Sequence, residues 1–434
     1  MKRVKQRANL ILVLAALLVA GLLVFVVRLA RDGESWAMFS ANTSVYQNGV
    51  LNTGTLEDRN GVLLASAGGG TYRYADDKTV RIACLHAVGD YQGNIGTGAL
   101  KVFADKLADY SFLRGTTSPA GATVRLSIDS GLCAAAYNAL NGRAGAVLVM
   151  DYTTGEILCM VSSPSFDPNA GANGADGVYL NRALSATYPP GSVFKIVTLT
   201  AALERIGGLQ DRRFTCTGST VIGGETVNCS GVHGVQTVEQ AFANSCNVAF
   251  AQISEELGGD TLARYAKALG FTAELTLDGI PVKTGNFDAA GAGSAALAWS
   301  GIGQSTDLIS PFALLRVSAA IANGGVLREP TLLKGQRGGT ARLLGAATAD
   351  SLAGMMSYNV QYAYGPSRFP GLNLCAKTGT AEVGDGTSHA WFTGFLQSED
   401  HPLAFAVVVE HGGGGLTAAG AVANAVLQAA VKGS

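Results

Sequence analysis

Leu10 to Val27, eighteen residues without a charge, constrain this chain more than any other stretch. A run that long and apolar suits neither a water-facing surface nor a short core segment, and it is enough for a transmembrane helix. Lys2, Arg3, Lys5 and Arg7 precede it, and Arg28-Leu29-Ala30-Arg31 follows. A cleavable secretory signal has an apolar region of about 7–15 residues and a small-x-small cleavage site. The run here is longer and no such site follows, so it reads as an uncleaved signal anchor. Basic residues stay on the cytoplasmic side. The expectation is a cytoplasmic tail over 1–7, an anchor over 8–30, and everything later outside the cytoplasm.

The 434 residues allow about two to three domains and a large core. A net charge of -1, with 15% charged residues, offers no basic surface for nucleic acid. Seven cysteines are scattered without a Cys-x-x-Cys pair, so spacing proposes no metal site. Cys133, Cys159, Cys246 and Cys375 fall in apolar elements and read as small buried hydrophobes. Cys216 and Cys229 bracket a loop in which a disulfide could persist outside the cytoplasm, although spacing fixes no connectivity.

Residues 31–122 read as a small mixed spacer module. Asp58-Arg59-Asn60-Gly61 makes a turn into a strand, Tyr72–Tyr74 and Val80–Ala83 read as further strands, and Ala99–Phe112 as a helix. Beyond it, Asp129 or Ser130 can cap a helix to about Leu140. Gly145–Asp151 and Glu156–Ser162 form a hairpin of buried strands around a Gly-containing turn. Val238 to about Leu257 is helical in pattern, Thr261–Leu269 makes a further helix, and Ser310-Pro311 opens another that runs to Ile321. The chain ends in a three-strand meander: Leu372–Thr380, His389–Phe395 and Leu403–Glu410. An apolar helix, Thr417–Val431, follows. The expected class is α+β, an antiparallel sheet flanked by helices, with the 145–162 hairpin free to join the meander.

Tyr188-Pro189-Pro190-Gly191-Ser192-Val193-Phe194-Lys195 carries the chemistry. Two prolines and a glycine make a rigid turn, and the apolar run after it predicts a helix from Ser192 to about Ile206, stopped by Gly207-Gly208. Three residues apart, Ser192 and Lys195 share a helical face. A serine hydroxyl needs a base to become a nucleophile, and a lysine serves if burial or a neighbouring cation keeps it neutral. The helix N-terminus aims backbone N–H groups at an oxyanion forming beside Ser192.

Ser192-x-x-Lys195 alone is a weak signal; its companions give it weight. Ser245-x-Asn247 and Lys377-Thr378-Gly379-Thr380 follow in order. Ser40-x-Asn42 sits beside the anchor, Ser357-x-Asn359 is too close to Lys377, and Lys283-Thr284-Gly285 follows a proline that argues against a central strand.

The ordered set resembles the penicillin-recognising serine acyltransferases, and specifically the class B penicillin-binding proteins of the penicillin-binding protein A branch. Further matches are Asp58–Gly61, Gly155–Leu158, Ser163–Asn169, Ala243–Asn247, Ala320–Gly325 and His389–Phe392. One departure stands at Thr53-Gly54, where the family often has Arg before that Gly. The resemblance implies a penicillin-binding transpeptidase domain over 123–434, anchored in the bacterial cytoplasmic membrane with its catalytic part extracytoplasmic. It implies a peptidoglycan D,D-transpeptidase that acts without a cofactor. Ser192 takes the acyl group from a stem peptide ending in D-alanyl-D-alanine, and Lys195 is its base. Asn247 holds Lys195 and the substrate amide, and Ser245 passes the proton to the leaving D-alanine. Lys377, Thr378, Gly379 and Thr380 grip the terminal carboxylate, with the N–H groups of Ser192 and Thr380 as oxyanion hole. It also implies acylation by β-lactams and a partner glycan polymerase of the shape, elongation, division and sporulation group. His389 and Trp391 read as core or rim.

Two other readings stand beside it. One is a D,D-carboxypeptidase or β-lactamase using the same acyl-enzyme, although no Glu-x-x-Leu-Asn stands between Asn247 and Lys377. The other is a non-catalytic envelope scaffold or β-lactam sensor, for which three intact motifs are unexpected.

Overall fold

The computed structural model describes every residue except 1, 37, 39–41, 44, 48–49, 112–114, 117, 119, 173 and 434. Ser40 of the first alternative Ser-x-Asn, and Phe112 at the end of the expected module helix, lie outside the described residues. The first element, Lys2–Trp36, is a helix long and apolar enough to cross a membrane.

A four-stranded sheet follows, in the order Thr71–Tyr74, Leu63–Gly68, Thr55–Glu57, Thr123–Arg125, with the last pair parallel. Two sequence expectations fail in this module. Val80–Ala83 is not a strand but part of the helix Lys78–Ala83, because Asp77 caps it by accepting the Val80 N–H. The helix expected from Ala99 is two short pieces, Ala99–Val102 and Ala104–Ala108, and the second ends at Asp109 in the left-handed region. Asp58 ties this module to the catalytic half of the chain. Its buried carboxylate accepts from the Asn60 and Val62 N–H groups, and from the N–H and hydroxyl of Ser130 at 3.1 and 2.7 Å.

The second unit is built on a five-stranded antiparallel sheet in the order Ile157–Ser163, Gly145–Asp151, Leu403–Val409, Ser388–Leu396, Leu374–Glu382. The early hairpin thus pairs with the late meander, as the apolar patterns allowed. Leu403–Val409 is buried at every position because helices cover both faces of the sheet. Strand alternation shows the two coverings. Thr393 meets Ser318 of the helix Pro311–Ala322 at 2.7 Å, whereas neighbouring Phe392 packs beside Gly420 of the helix Ala419–Lys432. Lys377 lies opposite Thr393 in register.

A helical layer completes this unit. Lys195–Arg205 packs against Asn247–Leu257, Gly259–Ala268, Ala295–Ile302 and Ala346–Tyr358. The helix expected over Val238–Leu257 is interrupted. It stops at Ala243 and restarts at Asn247, with Ser245 in the left-handed region at φ 52°. Residues 213–237 before it, rich in Gly, Thr and Ser, fold into two small antiparallel pairs, Arg213–Cys216 with Gly234–Thr237 and Ser219–Ile222 with Glu225–Asn228. Cys216 and Cys229 are free thiols, so the disulfide considered from the sequence is not formed.

Candidate active site

The turn before Ser192 is fixed by its own backbone. Pro189 and Pro190 have no N–H to satisfy, the Pro189 carbonyl accepts the Trp391 indole N–H at 2.9 Å, and Tyr188 exchanges backbone hydrogen bonds with Ile309. Gly191 sits at φ 55° with its N–H on the Gly303 carbonyl. A Cβ there would strike the Thr380 carbonyl, so only glycine lets the turn lie against the strand. Gly191–Phe194 forms a tight helical turn that continues as Lys195–Arg205, which puts Ser192 at the helix entrance as the sequence predicts.

All five residues expected to be catalytic are joined by hydrogen bonds. Lys195 Nζ lies 3.0 Å from Ser192 Oγ, 2.6 Å from the Ser245 carbonyl and 2.8 Å from Asn247 Oδ1. It is also 3.3 Å from Ser245 Oγ. Asn247 donates from Nδ2 to the Asn228 carbonyl, which fixes the amide with its oxygen toward the lysine. The two closest neighbours of the amine can therefore only accept. A neutral amine has two N–H donors and one lone pair. Both donors are taken by those acceptors, so the lone pair is left for the Ser192 hydroxyl proton.

Lys377 Nζ reaches Ser245 Oγ and the Thr378 carbonyl, both at 3.0 Å. Ser245 thus stands between the two amines. Both lysines are buried, and among the described residues neither pairs with a carboxylate. Burial pushes Lys195 down to about 7, with Cys246 and then Cys229 pulling the other way. Lys377 is held well below the ordinary lysine value by burial and then by Lys195 beside it. Two buried amines this close disfavour a second proton.

Thr378 and Thr380 line the same cleft of about 900 Å³ as Ser192, Ser245 and Asn247. Gly379 backs it. A Cβ at Gly379 would lie 2.9 Å from the Pro190 carbonyl and 3.0 Å from Val193 Cγ1. Leu374–Glu382 is an edge strand, and among the described residues no strand pairs with its outer side. The Thr378 N–H points outward to the Tyr364 hydroxyl at 3.0 Å. Alternation sends the Thr380 N–H to the same edge, two residues nearer Ser192. His389 and Trp391 are buried behind the site, packed on Tyr188. Lys283 of the second Lys-Thr-Gly is exposed beside an isolated two-stranded hairpin, away from this sheet.

Sequence reasoning missed three supports. Tyr364 holds the Thr378 N–H, and its hydroxyl also lies 3.3 Å from Thr378 Oγ1. Glu410 accepts from Arg182 Nε and the Tyr188 hydroxyl, each at 2.7 Å, bracing the turn before Ser192. Gly303 seats Gly191. None lies in a short motif; each becomes visible only once the chain has folded.

The site and the sheet around it define a class. A family model described as the penicillin binding protein transpeptidase domain matches residues 145–430, and the chain belongs to that family, among its class B members. It is 30% identical over 392 residues to the peptidoglycan D,D-transpeptidase PbpA of Mycobacterium tuberculosis, covering 77% of each chain. Among solved structures it is similar to penicillin-binding protein A of M. tuberculosis in a penicillin G acyl-enzyme complex, with a TM-score of 0.75 at 27% identity. That match covers 88% of this chain and 99% of the other. The D,D-transpeptidase domain of a peptidoglycan glycosyltransferase from Eggerthella lenta matches at 0.74 and 30% identity, covering 88% and 98%.

Proposed function

We propose that this chain is a peptidoglycan D,D-transpeptidase in which Ser192 carries the acyl group. The observation that bears the reading is the Lys195 amine, buried, with two acceptors on its N–H groups and the Ser192 hydroxyl at 3.0 Å. Ser192 Oγ attacks the carbonyl between the two terminal D-alanines while its proton passes to Lys195. The oxyanion settles on the N–H groups of Ser192 and Thr380. The proton travels through the Ser245 hydroxyl to the leaving amine of D-alanine as the peptide bond breaks, leaving an ester on Ser192. An amine of a neighbouring stem peptide attacks that ester and regenerates the serine. The donor's carboxylate meets Lys377 and the hydroxyls of Thr378 and Thr380, and its negative charge favours a proton on the Lys377 amine. A β-lactam carries the same carbonyl and carboxylate, and the similar M. tuberculosis protein forms an acyl-enzyme with penicillin G.

The chain is read as a tail over 1–7, an anchor over 8–30, a spacer module over 31–122 and a catalytic domain over 123–434 outside the cytoplasmic membrane. One strand of that domain, Thr123–Arg125, completes the module's sheet. The module and anchor suit docking to a membrane glycan polymerase. The test is mass spectrometry of the full chain after exposure to penicillin. One adduct on Ser192, absent from Ser192→Ala, is expected, and no adduct on the folded protein overturns the reading. Release of D-alanine from a donor peptide, with and without an acceptor amine, then separates transpeptidation from hydrolysis.

A further inference from the structure

The fold gathers Cys216, Cys229, His233 and Cys246 at one point against the Ser245-x-Asn247 turn. One ligand atom from each lies within 4.8 Å of every other. Spacings of 13, 4 and 13 residues hide the group from any short-motif search. The two small antiparallel pairs make it: Cys216 ends one strand, Cys229 follows another, His233 precedes the return strand, and Cys246 sits inside the interrupted helix. Cys216 and Cys246 are fully buried, and Cys229 and His233 are half-buried.

The two separations from Cys229 to Cys246 and His233 match a tetrahedral ion rather than a disulfide, and the others are bounded by the same 4.8 Å. Zinc binds thiolate at about 2.3 Å and imidazole at about 2.0 Å, so a tetrahedron has S···S edges of about 3.8 Å and S···N edges of about 3.5 Å. Cys229 Sγ stands 3.9 Å from Cys246 Sγ and 3.5 Å from His233 Nδ1. A disulfide would need about 2.05 Å between sulfurs. The Asn247 N–H points at Cys229 Sγ from 3.3 Å, the kind of amide donor that steadies a metal-bound thiolate.

We propose that these four side chains bind one zinc ion in a closed Cys3His site that holds the Ser245-x-Asn247 turn in its catalytic position. The set is three thiolates and an imidazole, which selects zinc among divalent ions and leaves no place for a reactive water. The ion is therefore structural. Its position explains how the turn is kept. Cys246 lies between the two catalytic residues, Ser245 adopts a backbone conformation costly for a non-glycine, and Asn247 is tied both to Cys229 and to the Asn228 carbonyl. The ion would clamp both sides of that turn to the Asn228–Cys229 strand end. It would also protect three adjacent thiols from oxidation outside the cytoplasm.

The test uses the full chain purified in detergent without chelators, with elemental analysis as the primary readout. About one zinc per chain is expected, falling below about one tenth in Cys216→Ser and in His233→Ala. Cobalt exchanged into the wild-type protein should show the intense visible bands of a tetrahedral thiolate complex. Stripping zinc from the wild type with a chelator under reducing conditions, which needs no variant to fold, should slow penicillin acylation about 10-fold or more, and added zinc should restore it. Wild-type protein that holds less than about a tenth of an equivalent after zinc loading, or that carries a disulfide between any two of the three cysteines as purified, overturns the site. Stoichiometric zinc whose removal leaves the acylation rate unchanged overturns the positioning role.

Discussion

The pH dependence of acylation tests the lysine directly, because among the described residues its lone pair is the group placed to take the Ser192 proton. In water a lysine is charged at neutral pH, and with a pKa near 10.4 only about one in 2,500 would be neutral at pH 7. Burial lowers Lys195 to about 7, so half the molecules carry the free base at that pH. The sign follows from the role: the neutral form reacts, so acylation is lost as pH falls through about 7 and levels off above it. The second-order constant for acylation reports the free enzyme. It should drop about 10-fold from pH 8 to pH 6 and about 10-fold more by pH 5. Lys377, Cys229 and Cys246 are ionisable groups near the amine, Glu225 and Glu382 line the same cleft, and among the described residues only Lys195 is hydrogen-bonded to Ser192 Oγ. The assay is quenched-flow mass spectrometry of the penicillin adduct over pH 5–9, with circular dichroism at each pH to confirm folding. A flat profile refutes the reasoning. So does an acid limb centred near 4, which would mark a carboxylate base, or one near 10, which would mark an unperturbed lysine.

Asn247→Ala removes one acceptor from Lys195 and frees its N–H groups to point elsewhere. Acylation should fall about 100-fold with the melting temperature little changed, measured by adduct kinetics and calorimetry. Gly379→Ala puts a methyl against the Pro190 carbonyl and Val193, so the strand and the Ser192 turn must part. A loss of about 1–3 kcal/mol in stability and at least about 10-fold in acylation is expected. Asp58→Ala strips four donors of a buried acceptor at the junction of module and catalytic domain. Denaturant unfolding should show a loss of at least about 3 kcal/mol. Glu410→Gln weakens the brace on Arg182 and Tyr188, and should lower the acylation rate severalfold while leaving the pH midpoint in place.

How much of this was legible in the sequence depends on where each interaction lives. The hairpin, the meander and the helices opening at Ser130 and Pro311 are local patterns of apolar period and capping, and they appear where expected. The nucleophile helix was legible for the same reason: Pro-Pro-Gly sets a start and Gly-Gly a stop. Val80–Ala83 misled because β-branched residues suit a strand, while Asp77 three residues before Val80 supplies a cap that outweighs them. The break at Ser245 was hidden because Val238–Leu257 keeps a helical rhythm across it. Only packing against the Cys229 strand end reveals that the turn is needed. Tyr364, Glu410 and Gly303 act through contacts over long sequence separations, for which a single chain carries no local mark.

The outer side of Leu374–Glu382 carries one further consequence. A bare sheet border invites any extended chain to complete it, which is a hazard for a protein working among other polymers. Here Tyr364 blocks that border at Thr378 and the Ser192 turn abuts it at Thr380, so the gap between them is narrow. That partial cover leaves little room for an adventitious strand to pair there. Under the proposed function, an extended donor peptide would add to this border beside Ser192, and completing the sheet would help carry its carbonyl to the hydroxyl.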